Sequence, residues 1–209
     1  MPRMTDDRSR PLRERKKLRT RRALADAALR LFTDKGFDAT TLEELVEEVE
    51  VSKSTFFRAF PAKEAVAIEA ETQLWSAYLT TLERREVTGL VLAELRDALL
   101  ETAAALEPDW DDRYVATRRL VLTAPALLAY VEHHRSGVKK DMIGCLADKL
   151  GLDIDDLRLH VLAELAVTAW SVSGRDWVRE GGRGGRQALI RRLKDSFEAI
   201  PASLHLAAP

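Results

Sequence analysis

The segment that most constrains the fold of this chain is TTLEELVEEVEVSKSTFFRAFPAKE, residues 40–64, because it has the pattern of two short helices joined by a tight turn. We predict that Thr40 caps the first helix and that Glu43, three residues later, completes a capping box. The apolar residues of this helix have the spacing of a single buried face: Leu42, Leu45, Val46 and Val49. The first helix is therefore expected to bury one side and to brace the second.

The second helix is expected to present a different kind of surface. Val51 is an apolar residue in the turn, where it is predicted to insert between the helices, and Ser52 is the predicted N-cap. Phe56 and Phe60 are four residues apart and share the face that packs on the first helix. The remaining side chains form a short outer surface that is cationic and carries hydroxyls: Lys53, Ser54, Thr55, Phe57 and Arg58.

Such a surface suits the major groove of DNA, where hydroxyls bond to base edges and Lys or Arg meets guanine or phosphate. Pro61 ends the helix, and Lys63, at the start of the next one, is a predicted phosphate anchor. The glutamates of the first helix would be repelled by phosphate, so their face is expected to point away from DNA. Two short amphipathic helices with a turn also occur in many other helical proteins, and this segment alone leaves that alternative open.

A basic segment precedes these helices. Residues 1–22 contain ten Lys and Arg against three acidic residues. Residues 1–10 are expected to be a disordered basic arm, whereas a helical apolar pattern begins near Pro11 and ends at Gly36. Basic residues at the start of that helix are candidate phosphate contacts: Arg13, Lys16 and Lys17. A solvated tail is the other interpretation of the same run of charge.

Four stretches of the chain match the pattern of a known family without a gap in spacing: AALRLFTDKGF over 27–37, TTL over 40–42, VSKSTFF over 51–57 and FPAKE over 60–64. In these residues the chain resembles the N-terminal domain of tetracycline-repressor (TetR) family regulators, over about residues 13–66. The resemblance implies a homodimeric one-component repressor that binds a palindromic double-stranded DNA operator. It also implies a three-helix helix-turn-helix head and a larger helical body that binds a ligand.

Carried over by position, the DNA contacts of the family fall on the outer surface of the second helix (Lys53, Ser54, Thr55, Phe57 and Arg58), on Thr41 and on Lys63. This sequence departs from the family in three places. Phe57 stands where a tyrosine is usual, which removes a hydroxyl, and Ala59 stands where His or Tyr is frequent. Glu50 replaces a common turn glycine, and a non-glycine residue tolerates positive φ poorly. Operator affinity is therefore expected to depend more on the basic arm.

The rest of the chain has the pattern of helices alone, so we predict an all-α fold with about nine helices. Beyond the head, the helices are predicted at about 63–85, 91–106, 111–123, 125–150, 157–172 and 188–200. The predicted domains are a DNA-binding domain at 11–62 and an effector-binding and dimerisation domain at 63–209. The charge divides in the same way, with a net +4 over residues 1–63 and a net −5 over residues 64–209.

The last two predicted helices are candidates for a dimer interface. They are linked by the glycine-rich run at 181–185, and two such helices from each subunit would form a four-helix interface. The predicted interface residues are Leu162, Leu165, Ala169, Leu189, Leu193 and Phe197. Ordinary packing within one chain is the alternative, and dimerisation is favoured mainly by the family resemblance.

The family resemblance also places an effector site in the body. Candidate lining residues for a small hydrophobic effector are Trp75, Tyr78, Trp110, Tyr114, Arg118, His134 and Trp170. The body from about Leu90 resembles members that sense acyl groups, so acyl-type effectors are included, with Arg118 or Arg119 as partner of a phosphate or carboxylate. Each of these side chains is otherwise an ordinary core or surface residue.

The sequence gives little support for catalysis, a cofactor or a metal. The glycine run lacks the Gly-Lys-Ser/Thr of a phosphate-binding loop, and no catalytic residues are predicted. Asp156 and His160, with Asp153 nearby, have the spacing of metal ligands but are expected to be solvated. Cys145 is expected to be a small buried thiol, although a redox role stays open. With no apolar run of membrane length, the protein is expected in the cytoplasm and not in a membrane. A helical enzyme or scaffold is the alternative function.

Overall fold

A computed structural model describes residues 12–207 of the protein. Within these residues it consists of helices and connecting segments, with no strand. The all-α prediction is confirmed, although these residues contain ten helices where about nine were expected. The helices are α1 (Leu12–Lys35), α2 (Leu42–Glu48), α3 (Lys53–Ala59), α4 (Lys63–Ala67), α5 (Glu69–Arg84), α6 (Val91–Ala105), α7 (Trp110–Thr123), α8 (Pro125–Leu150), α9 (Leu157–Arg179) and α10 (Gly185–Ser203).

The chain divides into two compact units. The first contains the described residues up to Glu69 together with Leu120–Tyr130, and the second contains Ala70–Arg119 and the described residues from Val131 onward. The first unit therefore extends beyond residue 62, where the sequence placed a domain boundary. The predicted arm at residues 1–10 lies outside the described residues.

The first three helices enclose an apolar core within the first unit. The buried side chains come from all three helices and include Leu24, Ala28 and Phe32 of α1, Leu45 and Val46 of α2, and Phe56 of α3. Phe60, directly after α3, is also fully buried. The predicted faces of the two short helices are thus the faces that are buried, and Ser52 caps α3 by accepting a hydrogen bond from the amide of Thr55 at 3.2 Å.

The cap of α2 lies one residue later than predicted. Thr41, not Thr40, is the N-cap: its hydroxyl accepts from the amide of Glu44, and the Glu44 carboxylate accepts from the amide of Thr41 at 2.9 Å. Thr40 is buried, and its hydroxyl donates to the carbonyl of Gly36 at 2.9 Å. The sequence could not separate the two registers, because a threonine pair is followed by a glutamate pair at the same spacing.

The turn between α2 and α3 is a Schellman motif in which Glu50 takes the place of glycine. The amide of Val51 donates to the carbonyl of Val46 at 2.9 Å, and the amide of Glu50 donates to that of Glu47 at 3.0 Å. Glu50 has φ 54°, which makes it the one non-glycine residue with positive φ among residues 12–207. The turn therefore has the left-handed geometry that glycine favours, adopted by a residue that is strained in it.

We expect Glu50→Gly to raise the free energy of unfolding by about 0.5–1 kcal/mol. Glycine relieves the backbone strain of the left-handed conformation, which stabilises the folded state. Part of this stabilisation is lost because glycine also increases the conformational entropy of the unfolded chain. Thermal and urea unfolding followed by circular dichroism would measure the change. Glu50→Gln removes the charge but keeps the strain, so equal stabilisation by both variants would contradict the explanation.

The helix predicted at about 63–85 is two helices. Ile68 separates α4 from α5, with φ −103° and ψ 19° in place of helical values. The side chain of Ile68 is fully buried, so the apolar pattern continues through the break. Hydrophobic periodicity therefore gave no sign of it.

In the second unit, α6, α9 and α10 contribute to a continuous apolar core. The glycine-rich connector between α9 and α10 is followed by Arg186, whose guanidinium donates to the carbonyls of Leu106 and Glu107 at 2.6 Å each. Arg186 also donates to the carboxylate of Asp111 at 2.7 Å. The start of α10 is thus fastened to the segment between α6 and α7, directly after the glycine-rich connector.

Candidate functional site

The predicted DNA-reading side chains form one solvent-facing surface on α3, which we call the α3 outer surface: Lys53, Ser54, Thr55, Phe57 and Arg58. All are exposed except Thr55, which is half-buried. Phe56 is fully buried beneath them and anchors the helix to the core. The seven-residue helix therefore presents a surface that is open to solvent.

Hydroxyl groups and a guanidinium are linked along this surface. The Ser52 hydroxyl lies 2.9 Å from that of Ser54 and 3.0 Å from that of Thr55. Arg58 donates from Nε to the carbonyl of Ser54 at 3.1 Å and from Nη2 to the Thr55 hydroxyl at 3.2 Å. These bonds hold hydroxyls and a positive charge in fixed positions, which lowers the entropy lost when such groups bind a ligand.

The glutamates of α2, whose face was expected to point away from DNA, are largely paired with basic residues. Three of them pair with basic residues of the neighbouring helices: Glu43 with Lys53, Glu44 with Lys35 at 2.7 Å, and Glu48 with Arg30 at 3.0 Å. The hydrogen bond from Lys53 lowers the pKa of Glu43, and the hydrogen bond from Lys35 lowers the pKa of Glu44 to about 2. Both carboxylates are thus ionised at neutral pH. Glu43 lies beside the α3 outer surface and not on a face turned away from it.

Thr41 and Lys63 differ in how accessible they are. Thr41 is exposed at the N-terminus of α2. The ammonium of Lys63 donates to the carbonyls of Phe37 and Thr40, both at 2.9 Å, and lies 4.2 Å from the centre of the Phe37 ring. Lys63 therefore fastens the segment between α1 and α2 to the start of α4. The prediction that it contacts phosphate stays a prediction.

The basic residues of α1 fall into two groups. Arg13, Lys16 and Lys17 are exposed near its N-terminus, as phosphate contacts require. Arg21 instead donates from Nε and Nη2 to both carboxylate oxygens of Glu69, at 2.7 and 2.5 Å. The positive charge of Arg21 is therefore paired with a carboxylate of the first unit.

Arg21 is the residue whose role the sequence concealed. Besides Glu69, its guanidinium bonds to the carbonyl of Ala59 at the end of α3 and stacks 4.2 Å from the centre of the Phe60 ring. The Glu69 side chain is almost completely buried. One side chain thus joins α1 to the C-terminal end of α3 and to the first residue of α5. Within a run of ten basic residues, nothing in the sequence distinguished it.

The predicted effector residues include a buried aromatic cluster in the second unit. Its members are Trp75, Tyr78, Trp110, Tyr114 and Trp170. The rings of Trp110 and Tyr114 stack with centroids 4.6 Å apart, and the indole of Trp170 donates to the Tyr114 hydroxyl at 2.9 Å. Arg118 and His134, the other two predicted residues, are half-buried.

Two residues of this region were missed by the sequence analysis. Trp177 adds a ring 6.4 Å from that of Tyr114. Glu71 is fully buried, accepts from Nε of Arg135 at 2.7 Å, and has Nη1 of Arg118 3.6 Å from its second oxygen. Burial together with this carboxylate raises the pKa of the Tyr114 hydroxyl. Arg135 and Arg118 share the single carboxylate of Glu71, so it offsets only part of the positive charge of Arg118.

The predicted dimer interface needs a correction at four of its six residues, whereas Leu165 lies on a partly exposed face of α9 and stays a prediction. Ala169, Leu189, Leu193 and Phe197 are buried within the chain, where α9 packs on α10, and are not on a surface that a partner can contact. Leu162 is half-buried and packs on the same core. A different face of α9 carries a row of exposed and half-buried side chains at heptad-like spacing, which we call the α9 outer stripe: Leu157, Val161, Leu165, Thr168 and Val172.

The carboxylates considered as metal ligands have other partners. Asp156 caps α9 and accepts from the Arg158 guanidinium at 2.5 Å, while the ring of His160 bonds to the carbonyl of Ile154 at 3.0 Å. Residues 12–207 contain no group of three side chains placed to hold a metal. In the same part of the chain no helix has the length and apolar character needed to cross a bilayer.

Comparison with known proteins agrees with this geometry. Residues 24–70 match the model of bacterial regulatory proteins of the tetR family. The HTH-type transcriptional regulator TcmR of Streptomyces glaucescens is 34% identical over 179 residues, which cover 79% of this chain and 76% of TcmR. The HTH-type negative transcriptional regulator IcaR of the biofilm operon icaADBC of Staphylococcus epidermidis is 25% identical over 53% of this chain and 58% of IcaR. A regulator of the TerR/AcrR family from Aquifex aeolicus has a similar fold, with a TM-score of 0.53, 16% identity, and coverage of 87% of this chain and 99% of that one.

Proposed function

Because this chain belongs to the TetR family of bacterial transcriptional regulators, we propose that it is a homodimeric repressor that binds a palindromic operator and is released by a small hydrophobic effector. The observation that carries the proposal is the α3 outer surface, where cationic and hydroxyl groups are held in position and exposed. The name of IcaR, a negative regulator, supports repression. Proteins of this family are not enzymes, so the alternative of a helical enzyme is set aside.

In the proposed complex, the α3 outer surface enters the major groove. Ser54, Thr55 and Arg58 form hydrogen bonds with the edges of the DNA bases. The exposed basic side chains near the N-terminus of α1 bind backbone phosphates: Arg13, Lys16 and Lys17. Thr41, at the N-terminus of α2, is a further phosphate contact. Lys63 supports this surface by fastening α4, since its ammonium already has two carbonyl partners.

Two copies of the protein are needed for such recognition. One seven-residue helix contacts too few bases to discriminate among genomic sites, and a second copy doubles the number that is read. The two recognition helices would then occupy successive major grooves about 34–36 Å apart. We place the dimer interface on the α9 outer stripe, because a row of exposed apolar side chains on one helix is the feature that a second copy would cover.

We place the small hydrophobic effector at the aromatic cluster of the second unit, whose rings contact one another. An acyl-type effector stays among the candidates, although the carboxylate of Glu71 offsets part of the charge that would bind its anionic end. The effector would release DNA because it binds more tightly to the conformation that does not bind the operator than to the one that does. The coupling free energy between the two sites is expected to be about 1–3 kcal/mol. A regulator of this kind acts on the chromosome, so we place it in the cytoplasm.

Selection of bound fragments from a pool of random duplexes tests the proposal. An inverted repeat among the selected fragments is the expected result, because it requires both DNA binding and two-fold symmetry. The logarithm of the operator affinity should then fall with the logarithm of salt concentration with a slope near −7, for about eight neutralised phosphates. A selected motif without symmetry, or an affinity that salt does not change, would contradict the proposal.

Replacing Arg58 or Thr55 with alanine should weaken operator binding by about 1–3 kcal/mol and leave binding to random DNA nearly unchanged. Titration of each variant with both DNAs gives the two affinities. Arg84→Ala is a matched control, because Arg84 is also exposed and also donates from Nε to the carbonyl four residues earlier, in the second unit. Equal losses on operator and random DNA would show that these residues do not contact bases.

A further inference from the structure

Phe57 is an unusual feature of the α3 outer surface. Its side chain is 54% exposed, and within residues 12–207 it is the one aromatic side chain among the large apolar residues that are exposed. A phenyl ring has no polar group with which to bind phosphate. Phe57 therefore places an apolar group at the centre of the surface proposed to enter the major groove.

The ring of Phe57 is supported from below. It makes an edge-to-face contact with the ring of Phe56, with centroids 5.4 Å apart and planes at 88°. Phe56 is fully buried and packs on Phe60, whose ring is 5.8 Å away. Because Phe56 is fixed in the core, it restricts where the Phe57 ring can lie, and less entropy is lost when that ring binds a partner.

The charges around Phe57 indicate the kind of partner. Lys53 lies one helical turn before it, and Arg58 follows it directly. An apolar protein surface would have to approach beside the Arg58 guanidinium and the Lys53–Glu43 ion pair, whereas DNA has phosphates for the cations and apolar groups in its grooves. In the major groove the apolar group that base pairs present is the C5 methyl of thymine.

We propose that Phe57 contacts the C5 methyl of one thymine in each half-site and so determines the specificity of the operator at that base pair. The inference rests on the proposed function, since it assumes that α3 lies in the major groove. The contact recognises the methyl group and not the rest of the base, so 5-methylcytosine is an equivalent partner and uracil is not.

The test uses the full-length protein and the operator obtained from random duplexes. Each thymine of one half-site is replaced in turn by deoxyuridine, which removes the methyl and keeps every hydrogen bond. At one position the wild-type protein should bind about fourfold more weakly, and about fifteenfold when both half-sites carry the change. Replacing that T·A pair by 5-methylcytosine·guanine should give about fourfold tighter binding than cytosine·guanine.

Variants at position 57 show whether the ring is responsible. Phe57→Ala should bind the thymine and deoxyuridine operators equally, whereas Phe57→Tyr, which keeps the ring, should retain the difference. Phe57→Leu keeps an apolar side chain and should retain part of the difference in affinity between the thymine and deoxyuridine operators. This variant preserves the test if the alanine variant binds too weakly to measure. Since the side chain is half-exposed, thermal unfolding of all three variants should stay close to that of the wild type.

The inference is overturned if no deoxyuridine position weakens wild-type binding, or if Phe57→Ala keeps the same sensitivity as the wild type. Those results leave the proposed function intact, because the operator has already been selected by the same protein. Failure to select any operator is the separate result that counts against DNA recognition itself.

Discussion

Val161→Glu is expected to lower operator affinity by about 10²–10⁴-fold, because it places a charge in the centre of the α9 outer stripe and separates the subunits. Val161 is 56% exposed, so the substitution does not disturb the core of the chain. A monomer keeps its DNA-reading surface but loses the second, tethered half-site. Light scattering should give the mass of one chain, and the salt dependence of DNA binding should be about half as steep as for the dimer.

Leu90→Glu is the control for this prediction. Leu90 is 80% exposed directly before α6, so the control adds the same charge at an exposed leucine away from the stripe. It should remain dimeric and bind the operator normally. A Val161→Glu protein that stays dimeric and binds normally would exclude the α9 outer stripe as the interface.

Arg21→Ala is expected to lower the free energy of unfolding of the first unit by about 2–4 kcal/mol. The substitution removes the guanidinium that neutralises the buried carboxylate of Glu69 and that bonds to the end of α3. The expected cost is somewhat below the range for a fully buried ion pair, because the Arg21 side chain is 31% exposed. Arg21→Lys should restore little of it, since an ammonium cannot bond to both carboxylate oxygens in the same way.

Urea unfolding can assign this loss to the first unit. All four tryptophans of the chain lie in the second unit, so their fluorescence follows that unit, whereas circular dichroism follows all helices. The dichroism transition should move to lower urea by more than the fluorescence transition does. Arg22→Ala is the matched control, because the Arg22 side chain is 31% exposed, as that of Arg21 is, but pairs with Asp26 one turn along the same helix, where the carboxylate is 38% exposed. Loss of this pair should cost less than about 0.5 kcal/mol. If the two variants unfold alike, Arg21 does not have the proposed role.

Most of the first unit could be predicted from the sequence because its signals are local. The apolar spacing of α2 and α3 identifies the faces that are buried, and Ser52 is the N-cap that the sequence indicates. Exposure of Lys53 and Arg58 follows from that same spacing, since side chains opposite a buried face point to solvent. The location of the candidate DNA-reading surface was therefore predictable.

The features that could not be predicted depend on contacts between distant residues. Arg21 and Glu69 are 48 positions apart, and nothing local marks either as a member of an ion pair. In α9 the sequence is apolar on nearly every side, so periodicity could not tell the face that packs on α10 from the face left exposed. The same limitation applies to Glu71, whose two arginine partners lie on α7 and α8.

If Lys53 contacts DNA as proposed, its ion pair with Glu43 is expected to affect how the protein searches a chromosome. A lysine whose charge is already balanced by a carboxylate is attracted less strongly to any stretch of duplex that diffuses past. The Lys53 ammonium can bind DNA only when contacts at a matching site offset the free-energy cost of separating it from Glu43. We expect the ion pair to shorten the lifetime of complexes with non-specific DNA more than that of the complex with the operator. The protein would then scan DNA faster without binding non-specific sites tightly.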